Sequence, residues 1–187
     1  MNDATPAWAY ERAELCPPDP RWAVRGRAER ERLTELLAPW LVDGVEHVGS
    51  TAVPGLAAKP IVDLMASVTD LDTAMGPLTA DGWHHVPPEL DRRPWRRFHV
   101  KPDAAGLRRE AHLHLLPAGH PRWHDQLAFR DALRDDAALA RRYEALKRRL
   151  SDRHGDDREA YTDAKAEFVA NALARIVTPR ETPTRGD

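Results

Sequence analysis

The run Glu46-His-Val-Gly-Ser-Thr-Ala-Val-Pro-Gly-Leu-Ala-Ala-Lys-Pro-Ile-Val-Asp63 sets the tightest limit on what this chain can become. A strand around Val45 and Val48 enters a turn of glycine and hydroxyl residues. A second strand, residues 60–68, leaves it with one carboxylate in its middle. Side chains alternate along a strand, so Asp63 faces the side opposite Val62 and Leu64. A carboxylate among apolar neighbours is costly unless it is paired, hydrogen-bonded or metal-bound. Gly49, Ser50 and Thr51 allow close backbone approach and offer two hydroxyls, the donors that phosphate oxygens favour. Lys59 can place a point charge on a bound anion. The same residues can equally form a satisfied turn with a solvated lysine and a carboxylate capping a neighbouring loop. The spacing is neither that of a P-loop nor that of a dinucleotide fingerprint.

The rest of the chain surrounds this run with a mixed pattern. Residues 20–38 read as an amphipathic helix with Trp22, Leu33, Leu36 and Leu37 on one face. Thr69 to Asp72 resembles a capping box that opens a short helix ending near Gly82. Three more strands are expected at residues 83–86, 95–101 and 111–116, with 87–94 as loop. Helices then follow over 121–134, over 137–153 and from Asp156, the last carrying Phe168, Val169, Ala172, Leu173 and Ile176 inward. The order is that of an α+β domain over residues 20–177, between an extended arm, 1–19, and a polar tail, 178–187.

Two further groups carry chemistry. His112 and His114 fall on one side of a strand, roughly 7 Å apart along it. With Asp63 they form a candidate one-metal site of mixed donors, a pair of acid–base groups, or two half-buried imidazoles bonded to backbone. On the helices, Arg130 and Arg134, Tyr143 and Lys147, and Tyr161 and Lys165 are each four residues apart and share a face. Such faces form a cationic wall if they converge on the turn, and an ordinary salt-bridged surface if they do not.

Composition narrows the partners. The formal charge of −2 over 187 residues gives no bulk attraction to nucleic acid or anionic membrane. The single cysteine, Cys16, can form neither an internal disulfide nor a zinc-binding pair, which suits a reducing compartment. No run approaches the ~18 apolar residues of a membrane span, and the first residues do not read as a signal peptide. A cytoplasmic location is therefore the expectation.

The long first motif, followed in order by His112-Leu-His114, Phe129-Arg-Asp131, Tyr143 with Lys147, and Tyr161 with Lys165, resembles the GrpB family from about Trp8 to Ile176. The resemblance implies a nucleotidyltransferase-like fold, a small mixed sheet with flanking helices and a C-terminal three-helix segment, in a bacterial cytoplasmic protein. It marks Gly49, Ser50, Thr51, Lys59, Arg130, Lys147, Tyr161 and Lys165 as phosphate- or ligand-binding, and Asp63, His112 and His114 as catalytic or as ligands of one divalent metal. In the wider superfamily, carboxylates two residues apart hold two metals for in-line phosphoryl displacement. Here those positions are Ile61 and Met65, and histidines stand near the third. One aspartate and two histidines suit zinc, manganese or iron better than magnesium. Three functions follow: phosphoryl or nucleotidyl transfer, binding of a nucleotide or phosphorylated small molecule without turnover, and an assembly role with a protein partner related to coenzyme A biosynthesis.

Overall fold

Strand β2 (Val62–Val68) explains the sheet built around it. Every residue in it is buried except Asp63, which is half-buried. A strand apolar on both faces belongs in the interior of a sheet. It pairs antiparallel with β1 (Leu41–Val48) on one side and parallel with β5 (Arg109–Pro117) on the other. Beyond β5 lie β4 (Arg97–Pro102) and β3 (His84–Val86), both antiparallel, giving the order β1-β2-β5-β4-β3. The single parallel pair needs a crossover, which α2 (Gly76–Ala80), β3, the one-turn α3 (Pro88–Asp91) and β4 provide. A computed structural model describes residues 5–12, 14–154 and 158–177 of the chain, leaving aside the side chains of 151–164 and 177.

One face of the sheet is closed. Helix α1 (Arg21–Leu36) and the residue that follows it drive Leu33 and Leu37 against Val45, Val62, Leu64, Leu113 and Leu115, with Leu78 and Trp83 completing the core. Each such fully buried side chain contributes about 1.5–3 kcal/mol of transfer free energy. The opposite face is covered only in part. There Val48, Met65 and Leu116 meet Trp123 of α4 (Arg122–Asp135), while Asp63, His112 and His114 are left half-buried.

Helices α4, α5 (Ala137–His154) and α6 (Arg158–Val177) pack on one another around Phe129, Leu133, Leu139, Tyr143 and Ala172. Val53 and Leu56 belong to the same cluster, so the three-helix segment grips the loop that follows the turn. Asp136 caps α5, accepting from the amides of Ala138 and Leu139 at 2.8 and 2.9 Å. The arm is tied down as well: Cys16 bridges to Ala58, and Glu11 pairs with Arg109 at 3.0 Å. The result is the α+β class expected, with its mixed sheet and C-terminal helices.

Three local expectations change. Asp70, not Thr69, accepts the amides of Asp72 and Thr73, because its carboxylate reaches two residues on where the Thr69 hydroxyl makes no cap. The stretch 87–94 contains the turn of helix α3, opened by its paired prolines. Ile176 is 43% exposed, since the bundle core ends one turn earlier, at Leu173. Asp156 and the tail 178–187 lie outside the described residues. Among the described residues no helix is long and apolar enough to cross a membrane.

Candidate functional site

The register of the sheet assembles the centre of the site. Val48, Asp63 and His112 stand side by side across β1, β2 and β5, with Glu46, Met65 and His114 in the adjacent row. His112 Nδ1 donates to Asp63 Oδ1 at 3.0 Å, and His114 Nε2 lies 3.9 Å from the same oxygen. Burial would push the Asp63 carboxyl up, but the two imidazoles beside it outweigh that and hold it well below the usual carboxylate range. Gly49 is obligatory at its place. Its φ is 72°, and a Cβ there would sit 2.5 Å from Asp63 Oδ2.

His114 is set by a partner that periodicity did not reveal. Its Nδ1 accepts from Arg96, so its proton sits on Nε2, toward Asp63. Arg96 in turn is paired with Asp91 and stacked 4.5 Å over Phe98, whose ring lies against both histidines. Burial, with Arg96 nearby and only partly offset by Asp63, lowers the His114 pKa to about 4. The readable signal was alternation along the expected strand 95–101, which puts Arg96 and Phe98 on one face; the strand forms only from Arg97, and the pairing of Arg96 with Asp91 gave no signal in the sequence.

The turn at residues 50–52 lies beside Asp63, and its two hydroxyls differ. Thr51 Oγ1 donates to Ile61 O at 3.2 Å and accepts from His47 Nε2 at 3.0 Å, so its proton is already committed. Burial brings the pKa of His47 down to about 4, so the ring is neutral. Ser50 Oγ instead accepts from Lys147 Nζ at 3.1 Å, and among the described residues no acceptor takes its own proton.

Lys147 reaches the turn from α5. It is only 2% exposed, donates also to Ala57 O, and lies 5.0 Å from the Tyr143 ring. Burial, then the charge of Lys165, lowers its pKa to about 7 against the pull of Glu144. Lys165 of α6 lies 5.6 Å from the same ring. Both lysines line a cavity of about 110 Å³ together with Ser50, Lys59, Asp63 and His112. Only four of the chain's 28 lysines and arginines are lysines, and three of them meet here. The fourth, Lys101, pairs with Glu29 and Asp81.

One of the expected residues is placed elsewhere. Arg130 bonds Glu46 Oε2 at 2.7 Å and His47 O at 3.1 Å, on the edge of the sheet. With Arg134, which holds Ala52 O, it lines a separate cleft of about 700 Å³ between α1 and α4. Tyr161 lies in α6, and its side chain is outside those described.

The donor set does not match a two-metal centre. Ile61 and Met65 flank Asp63 with no oxygen, one nitrogen of each histidine is taken by Asp63 or Arg96, and His112 Nε2 is sealed from solvent. Among the described residues no three His, Cys, Asp or Glu side chains are grouped to hold a metal ion.

The family model described as "GrpB protein" matches residues 12–175. A UPF0157 protein of Pseudomonas aeruginosa is 39% identical over 181 residues, covering 92% of this chain and 71% of its own. A dephospho-CoA kinase of Mycolicibacterium paratuberculosis is 28% identical over 200 residues, and the chain spans only 48% of it. Among solved structures, GrpB from Enterococcus faecalis superposes with a TM-score of 0.74 at 28% identity, over 88% of this chain and 100% of that one. Cid1 bound to a UTP analogue gives 0.50 at 17% identity, over 76% of this chain and 44% of that one, a likeness of fold alone.

Proposed function

The chain belongs to the GrpB protein family, and from that premise we propose that it binds a nucleotide or other phosphorylated small molecule, with a phosphate seated beside Ser50. The observation that carries this reading is the meeting of Lys59, Lys147 and Lys165 with Ser50 in one small cavity. Ammonium groups are compact point charges and suit a phosphate in a confined space. A cavity of about 110 Å³ takes one anionic group, far less than the ~300–1,000 Å³ of a pocket for a whole drug-sized ligand. The remainder of the ligand therefore extends outward.

Asp63 and His112 border the same cavity and supply an oriented carboxylate–imidazole pair. They are the residues to which turnover would belong if the bound phosphate is transferred. The similarity to dephospho-CoA kinases places coenzyme A precursors among the ligands to try. The test is calorimetry of the purified protein with nucleoside triphosphates, pyrophosphate, dephospho-coenzyme A and coenzyme A. Binding that disappears in Ser50→Ala and Lys147→Met is the expected result. If none of these ligands produces heat, the phosphate reading is wrong, and a search for a protein partner takes its place.

A further inference from the structure

We infer that this site takes its phosphate without a divalent cation, the charge being met by Lys59, Lys147 and Lys165 in place of metal ions. The inference rests on the phosphate-binding reading above and concerns how that charge is neutralised.

The acidic side of the site is poor in ligands. Magnesium seeks about six oxygens in near-octahedral array, and among the described residues Asp63 is the one carboxylate lining the cavity. Its Oδ1 already accepts from His112, and its Oδ2 lies against Gly49. Nitrogen-tolerant metals such as zinc need three or four protein donors. Here His114 Nδ1 is held by Arg96 and its Nε2 stands 3.9 Å from Asp63. His112 Nε2 points into closed protein with no partner.

The basic side is rich in the complementary charge. Lys59, Lys147 and Lys165 bring three ammonium groups to a lining that holds one carboxylate among the described residues, Asp63, with Glu144 close to Lys147. A divalent cation placed among them would meet like charge at close range. Lys147 gives two of its three N–H donors to Ser50 Oγ and Ala57 O, which leaves one for a ligand. The choice of residue points the same way. This chain uses arginine almost everywhere, yet lysine at the three positions around this cavity. An ammonium is a compact point charge, whereas a guanidinium is a broad planar fork.

Calorimetry with inorganic pyrophosphate in excess EDTA, repeated in excess magnesium chloride, tests the inference. Pyrophosphate is expected to bind in EDTA and to bind equally or more weakly with magnesium, which screens the charge the lysines read. Lys147→Met should weaken binding at least about a hundredfold, the scale of losing one partner of a buried charge pair. Lys59→Gln, at a less buried position, should weaken it about fivefold; it carries the test if Lys147→Met fails to fold by circular dichroism. Binding that requires magnesium, or tightens tenfold with it and is lost in Asp63→Asn, overturns the inference while leaving the phosphate reading intact. Absence of binding by pyrophosphate and nucleotides with and without metal overturns both.

Discussion

Helix α4 turns Arg130 and Arg134 toward the end of β1, whereas α5 turns Lys147 toward the cavity on the other side of the same turn. Both helices are amphipathic, and both carry these side chains at helical spacing. The arginines are consumed by the fold: their guanidiniums span Glu46, Asp131 and the carbonyls of His47 and Ala52. Planar, multiply donating groups suit that bracing of one element against another. Lys147 instead brings a single buried charge to a hydroxyl, with Lys165 close by. On the proposed reading, bracing falls to Arg130 and Arg134 and binding to Lys147, and each can be disturbed alone.

The largest expected effect is on the binding side. Lys147→Met should lower pyrophosphate affinity by about 2.7 kcal/mol, a hundredfold, with a smaller loss of stability, about 1 kcal/mol, because Ala57 O loses its donor while methionine fills the space without a buried charge to desolvate. A large loss of stability with affinity preserved would put Lys147 among the braces. Next is Arg130→Met, which leaves Glu46 and the His47 carbonyl without their donor and should destabilise the fold by about 2 kcal/mol in urea unfolding. Its affinity for pyrophosphate, measured well below the unfolding midpoint, should stay within about threefold of wild type. If affinity falls with Lys147→Met and Arg130→Met alike, the division does not hold.

How much of this was legible depended on whether the information was local. Asp63 as the polar position of an apolar strand, and His112 with His114 on one face, follow from the two-residue period of a strand, and the sheet register brings them together. The arrival of Lys147 at Ser50 joins residues 97 apart in sequence. Periodicity fixes the face on which Lys147 lies and says nothing of what that face meets. Nor does it separate Arg130, at the sheet edge, from Lys147, at the cavity. Residue type held a clue that spacing did not: lysine is rare in this chain, and its rarity marks the cavity. Arg96 fell inside the expected strand 95–101 on the face of Phe98, but its role was unreadable because it acts through a buried pair with Asp91 from just outside the strand that forms.

Titration offers the next sharpening, with opposite signs for binding and stability. The pKa of Lys147 is lowered from 10.5 to about 7. Between those values the unfolded chain holds more protons than the folded one, so this lysine makes ligand-free stability rise with pH. Anion affinity should fall over the same range as the ammonium is lost, by up to about tenfold per pH unit above 7. Among the described residues the charged groups around it are Lys165, Glu144, Arg148 and, across the cavity, Lys59 and Asp63; Lys147→Met removes the trend if Lys147 is its source. On the acid side, His47 and His114, neutral when folded with values near 4, should cost stability as pH falls from 6.5 toward 4. A binding curve flat from pH 7 to 9 would show that Lys147 stays charged when empty.

The smallest expected effect probes the choice between arginine and lysine itself. Arg134 donates to Ala52 O through both Nε and Nη2, at 3.0 and 2.9 Å, and reaches Asp131 with Nη1. Lysine can keep one of these bonds but not the fork, so Arg134→Lys should cost about 0.5–1 kcal/mol in urea unfolding, the worth of an ordinary hydrogen bond. Pyrophosphate affinity should not move, because Ala52 O is held from the side away from the cavity. The reverse exchange is the informative control: Lys147→Arg keeps the charge but forces a broader group into the space beside Ser50. If bracing depends on the fork and binding on a compact charge, Arg134→Lys loses a little stability and no affinity, whereas Lys147→Arg loses affinity although its charge is unchanged. Equal tolerance at both positions would mean that charge alone matters, and the scarcity of lysine elsewhere in the chain would carry no information about the site.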